Sequence, residues 1–232
     1  MIATGELEFV SGLYRKYTSD LAAVVEQQRT FLATNASTVT PQLDDLEAEI
    51  TYLLLREYRP EHVVEIGTFY GWSTTWLLSA LRDNGTGHLH SFDMVDHVKR
   101  TVPSELSDGR WTFTKGDVKE NLDALPADTD YLFIDADHGK KFGQWYVDNL
   151  FPRMTSGIPA SVHDVFHGRS ARVWSEGQVV VKWLADHDVP FFTAARKNSP
   201  KNFDAINEVR TELGLTGARG STKNPMIWFN LP

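Results

Sequence analysis

Three polar residues of catalytic type, Asp135, Asp137 and His138, close the apolar run YLFI in the middle of the chain. Further on, His163 and Asp164 close a second apolar run, IPASV. Acids at the ends of adjacent parallel strands lie about 5 Å apart and can share a divalent cation with few further ligands. Asp135, His163 and Asp164 are the candidates for that role. Mg²⁺ prefers oxygen, whereas imidazole favours softer ions such as Mn²⁺, so the set reads either as a softer-metal site or as no metal site at all. His138 has the intrinsic proton affinity of a general base near neutrality, and structural work, capping or facing solvent, is its other reading. Asp137 either orients it or bridges to a lysine such as Lys140.

Upstream, residues 63–78 read VVEIGTFYGWSTTWLL, an apolar run, two glycines bracketing a turn, and a segment with helical spacing. Glycine lets backbone approach a ligand closely, and a new helix presents unpaired N–H groups. The spacing from Gly67 to Gly71 departs from the GxGxxG dinucleotide cradle. Glu65 sits where it would meet a cationic ligand more comfortably than a phosphate, and S-adenosyl-L-methionine is such a ligand. Asp93 ends a second strand, HLHSFD, where an acid hydrogen-bonds ribose hydroxyls or else caps the next helix. Asp117 follows a third strand and equally caps a helix starting near Val118.

The motif E-x-G-x-x-x-G-x-S formed by Glu65, Gly67, Gly71 and Ser73 resembles the cofactor loop of class I S-adenosylmethionine-dependent methyltransferases. The acids at the two later strand ends resemble the divalent-metal-dependent branch of small-molecule O-methyltransferases, which includes catechol, caffeoyl-CoA and macrolide-sugar enzymes. His163 departs from that branch, which carries an acid there. The resemblance implies that Glu65, Gly67, Thr68, Gly71 and Ser73 hold the methionine part and adjoining ribose, that Asp117 meets the adenine amino group, that His138 takes the acceptor proton, and that Asp135 serves both catalysis and the cofactor side. It also implies a hydroxylated small-molecule acceptor of natural-product, sugar or catechol type, with Mg²⁺ or Mn²⁺ as a further cofactor. N-methylation, intramolecular cofactor chemistry, or cofactor binding without turnover are the alternatives.

These residues need a scaffold that gathers strand ends on one edge. The pattern predicts an α/β fold, a Rossmann-like doubly wound seven-stranded sheet, mostly parallel with an antiparallel last strand and helices on both faces. Thr40-Pro41 reads as the start of a helix that runs to Arg59-Pro60 just before the first strand. Residues 1–39 read as a helical arm, packed on the core or a second subunit, or as a lid that turns Tyr14 and Tyr17 to the substrate; residues 40–232 make the methyltransferase domain. The segment Phe166–Trp174 reads as a substrate loop, with Trp145, Phe166 and Trp174 as apolar walls. A net charge of −8 argues against nucleic acid as a partner. With no long apolar run, no leader pattern and no cysteine, a cytoplasmic protein without a membrane partner is expected, as a homodimer.

Overall fold

Alternation along the first strand, β1 (His62–Ile66), decides which side of the sheet each helix covers. Val63 packs into one apolar cluster, while Val64 and Ile66 enter another on the opposite face. The computed structural model describes residues 6–220 and 225–232. Before β1 come α1 (Leu7–Lys16), α2 (Thr18–Thr34) and α3 (Asp45–Tyr58). After it, α4 (Trp72–Asn84), β2 (His88–Asp93), α5 (Ser104–Ser107) and β3 (Trp111–Lys115) complete the first half. The second half runs β4 (Tyr131–Ile134), α6 (Lys140–Trp145), β5 (Pro159–Val162), α7 (Glu176–Asp186), β6 (Phe191–Phe192), α8 (Pro200–Glu212) and β7 (Ile227–Asn230).

The strands form one sheet in the order β3-β2-β1-β4-β5-β7-β6. The first five run parallel, and β7 lies antiparallel to both β5 and β6. This is the doubly wound seven-stranded architecture expected from the pattern, with helices on both faces. Side chains of α1 to α4 share the cluster of Val63, whereas those of α6 and α7 share the cluster of Val64. Order reverses between β1 and β4, so the carboxyl ends of those two strands open a crevice in which ligands of such sheets bind.

Two local expectations shift. The helix before β1 starts at Asp45 rather than at Pro41, because Asp44 and Glu47 make a reciprocal capping box. The Asp44 carboxylate accepts the Glu47 N–H at 3.2 Å and the Glu47 carboxylate accepts the Asp44 N–H at 2.8 Å. Thr40 and Gln42 are thereby left non-helical and border the crevice. The helix expected near Val118 is two short 3₁₀ turns, Val118–Glu120 and Leu122–Ala124. In the N-terminal arm, Tyr14 and Tyr17 donate hydrogen bonds to Glu49 and Glu57 of α3, at 3.0 and 2.9 Å, so both face the helical layer. Among the described residues, no helix is long and apolar enough to cross a membrane.

Candidate functional site

The turn between β1 and α4 depends on its glycines. Gly67 has φ +91°, and a Cβ there would overlap the backbone carbonyl of Asp135 on the neighbouring strand. Only glycine lets the β1 and β4 exits lie this close. Gly71, with φ +83°, precedes the first turn of α4 and fits under Val98 and Val102. Beneath the turn, Glu65 is fully buried and accepts hydrogen bonds from Ser73 at 2.7 Å, Ser91 at 2.6 Å and Thr74 at 3.0 Å. It braces the loop from below and does not border the cavity.

Burial raises the Glu65 carboxyl to about 7 against the opposing pull of those hydroxyls. Its proton affinity is higher folded than unfolded, so its contribution to stability is complete below about pH 4.3 and lost as pH climbs through about 7. Glu65→Gln is expected to flatten this decline, which amounts to about 3 kcal/mol, in denaturant unfolding measured from pH 4 to 8.

Asp93, at the end of β2, holds the loop from the front. Its Oδ2 accepts the N–H groups of Thr68 at 2.7 Å and Phe69 at 2.8 Å, and Oδ1 accepts that of Val95 at 3.0 Å. Phe69 takes φ +44°, an unusual backbone region for a side chain of its size, within this clamp. Gly67, Thr68, Ser73, Asp93, Asp117, Asp135 and His138 line a single cavity of about 620 Å³. Gly71 lies outside the lining. Asp117 lines the cavity and also caps, because its Oδ1 accepts the Lys119 N–H at 3.0 Å and starts the 3₁₀ turn. Asp93→Ala releases two loop N–H groups and is expected to weaken S-adenosylhomocysteine binding about tenfold or more, measured by calorimetric titration.

Carboxylates and imidazoles alternate beyond the cavity floor. His163, almost fully buried, donates through Nδ1 to Asp135 Oδ1 at 2.9 Å, while its Nε2 lies 3.4 Å from Glu47 Oε2. Burial opposes charge on this ring, but Asp135 and Glu47 outweigh it and hold the imidazole well above its ordinary value. Burial likewise opposes charge on Asp135, yet His163 draws its carboxyl below the usual range. Asp164, in left-handed backbone at φ +58°, sits 3.1 Å from His138 Nε2, 3.4 Å from His167 Nε2 and 3.6 Å from His163 Nδ1.

The three candidate metal ligands thus converge, but His163 has a carboxylate at each ring nitrogen and serves as a cation between them. A metal-binding imidazole must offer a lone pair instead. Among the described residues no group of three or more His, Asp or Glu side chains is arranged to hold a metal ion. The set does not fit a metal centre.

His138 donates through Nδ1 to Glu176 Oε1 at 2.7 Å, and its Nε2 lies 3.9 Å from Asp135 Oδ1. Burial lowers its proton affinity, but the bond to Glu176 and the charges of Glu176, Asp164 and Asp135 raise it on balance. Asp137 does not orient it, because its Oδ1 accepts the Gly139 N–H at 2.8 Å within its own turn. Lys140 reaches over the Trp174 ring at 5.0 Å. Of the proposed apolar walls, Trp145 stacks on Phe142 and Phe166 is buried against Phe191, whereas Trp174 is 74% exposed. Phe142 borders the cavity in place of Trp145. Glu47 and Glu176 were not among the sequence candidates. Both open helices, at the third and first positions of α3 and α7, so their helix-start patterns mask their contacts with the site.

Residues 64–165 match a family model described as a methyltransferase domain. No curated protein matches the chain by sequence. Among solved structures, cofactor-bound Rv0187 from MTB is 17% identical, with a TM-score of 0.63 over 87% of this chain and 88% of its own. An O-methyltransferase from Bacillus cereus in complex with SAH is 16% identical, with a TM-score of 0.53 over 98% and 100%. The SAH-bound Podospora anserina methyltransferase PaMTH1 is 14% identical, with a TM-score of 0.50 over 92% and 88%. At such identities the likeness is one of fold.

Proposed function

From a chain in which residues 64–165 are a methyltransferase domain on a class I sheet, we propose an S-adenosyl-L-methionine-dependent O-methyltransferase acting on a hydroxylated small molecule. The observation that carries this reading is the sharing of one cavity by the glycine turn, Asp93, Asp117, Asp135 and His138. Two solved structures of similar fold hold SAH, which supports the same ligand here. The residues fit it: the cavity has room, Gly67 leaves a cradle that a Cβ would fill, and two strand-end acids face the space.

Bound S-adenosyl-L-methionine supplies an electrophilic sulfonium methyl, which an acceptor oxygen takes in line with release of S-adenosyl-L-homocysteine. Thr68, Ser73, Asp93 and Asp117 bind and orient. His138 accepts the hydroxyl proton at Nε2, and Asp164 and Asp135 face the imidazolium that forms. The exposed Trp174, whose carbonyl accepts the Lys140 N–H, offers an apolar surface to sugar or catechol rings. Incubation with methyl-labelled S-adenosyl-L-methionine and a panel of sugars, catechols and polyhydroxylated natural products, read by mass spectrometry, tests this. A labelled methyl ether formed by the wild type and lost in His138→Ala supports the reading. A methyl on nitrogen, or a product untouched by His138→Ala, overturns it.

A further inference from the structure

Glu176 is joined to His138 twice. Its carboxylate accepts the Nδ1–H at 2.7 Å, and its backbone N–H donates to the His138 carbonyl at 3.0 Å. The flanking chain is zipped as well, with Lys140 N–H donating to the Trp174 carbonyl at 3.1 Å and Gly139 bridged to Ser175. Two glycines permit this proximity. A Cβ on Gly143 would come 2.9 Å from Glu176 Cα, and one on Gly177 would come 2.6 Å from the Val165 carbonyl oxygen.

Glu176 has no exposed surface. A buried carboxylate is costly unless something uses its charge. Its Oε2 and the neighbouring Tyr146 hydroxyl face each other, and neither has another partner. The other oxygen, Oε1, is engaged by the imidazole that borders the cavity.

We propose that Glu176 is the positioning residue of this site: by accepting Nδ1–H it fixes the orientation of the His138 ring and leaves Nε2, 3.1 Å from Asp164 Oδ2, as the nitrogen that gains and loses the proton. The inference rests on the reading of His138 as the base. The acceptor's O–H bond breaks, its electron pair stays on oxygen for the new O–CH₃ bond, and the proton ends on Nε2. The imidazolium is then faced by Glu176 from α7, by Asp135 from the end of β4, and by Asp164 from the end of β5. The remaining titratable groups around it are His163 and His167 beyond β5, and Tyr146 through Glu176.

Imidazole ¹⁵N NMR of the full chain, saturated with S-adenosylhomocysteine, tests this without any acceptor. In the wild type the His138 Nδ1 should resonate as a protonated nitrogen and Nε2 as the titrating one. The opposite tautomer overturns the proposal. In Glu176→Gln, His138 should titrate about one pH unit lower. Once an acceptor is known, the acid limb of its kcat profile should move the same way, with kcat at pH 7 down about tenfold and KM little changed. An unshifted titration in folded Glu176→Gln also overturns it, and if that variant does not fold the wild-type tautomer decides. Full turnover by His138→Ala, with the tautomer as stated, would sink the base reading and leave the Glu176 contact standing.

Discussion

Gly67→Ala is expected to abolish measurable S-adenosylhomocysteine binding and to lower the unfolding free energy by about 3 kcal/mol. The turn sits at φ +91°, where alanine is strained, and the added methyl would lie 2.6 Å from the Asp135 carbonyl carbon and 3.0 Å from Ala136 Cα. Neither neighbour can yield. The Gly67 N–H is bonded to the Phe92 carbonyl at 2.9 Å and the Asp135 N–H to the Ile66 carbonyl at 2.8 Å, so both strand exits are held by the sheet. Relief requires the loop to lift, and the cradle then loses its shape. Calorimetric titration and urea unfolding measure the two effects, and a variant that bound with wild-type affinity would show that the loop is not the cofactor site.

Asp135→Asn is expected to cost about 3 kcal/mol of stability, because it removes one of the two carboxylates that hold the buried His163 cation. Asp135 is held below its ordinary range and His163 above it. The pair's contribution is complete between about pH 4 and 6.5. It fades as acid protonates Asp135 and as His163 deprotonates well above its ordinary value. The double variant Asp135→Asn/His163→Gln should recover part of the loss, because a buried charge without a partner is worse than no charge. Urea unfolding of the four proteins at pH 6 gives the coupling. Strict additivity would show that the two side chains do not act as an ion pair.

Sequence periodicity was enough to place the sheet and its crevice, because strand ends and a glycine turn leave local marks. Gly67, Asp93, Asp135 and His138 all reach the cavity from such positions. The partners of those residues left no comparable mark. Glu176 meets His138 across 38 residues, and Glu47 reaches His163 from a helix that precedes the first strand. Each reads as an ordinary acid in a first helical turn, where it suits the dipole. Asp137 misleads for the opposite reason, since an acid beside a histidine looks like its partner, whereas the turn it sits in captures it first. Glu65 was legible as important but not as buried, because neighbouring hydroxyls, not a ligand, satisfy its oxygens.

Glu47 has a consequence of another kind. The same oxygen, Oε2, accepts the Asp44 N–H at 2.8 Å and lies 3.4 Å from His163 Nε2. The first backbone amide of the α3 cap and the charge beneath the cavity therefore share one atom. When His163 loses its proton, Oε2 is left to the Asp44 amide alone, and that amide becomes harder to expose to solvent. Hydrogen–deuterium exchange at Asp44, read on an otherwise unlabelled protein, is thus a remote gauge of the charge in the site.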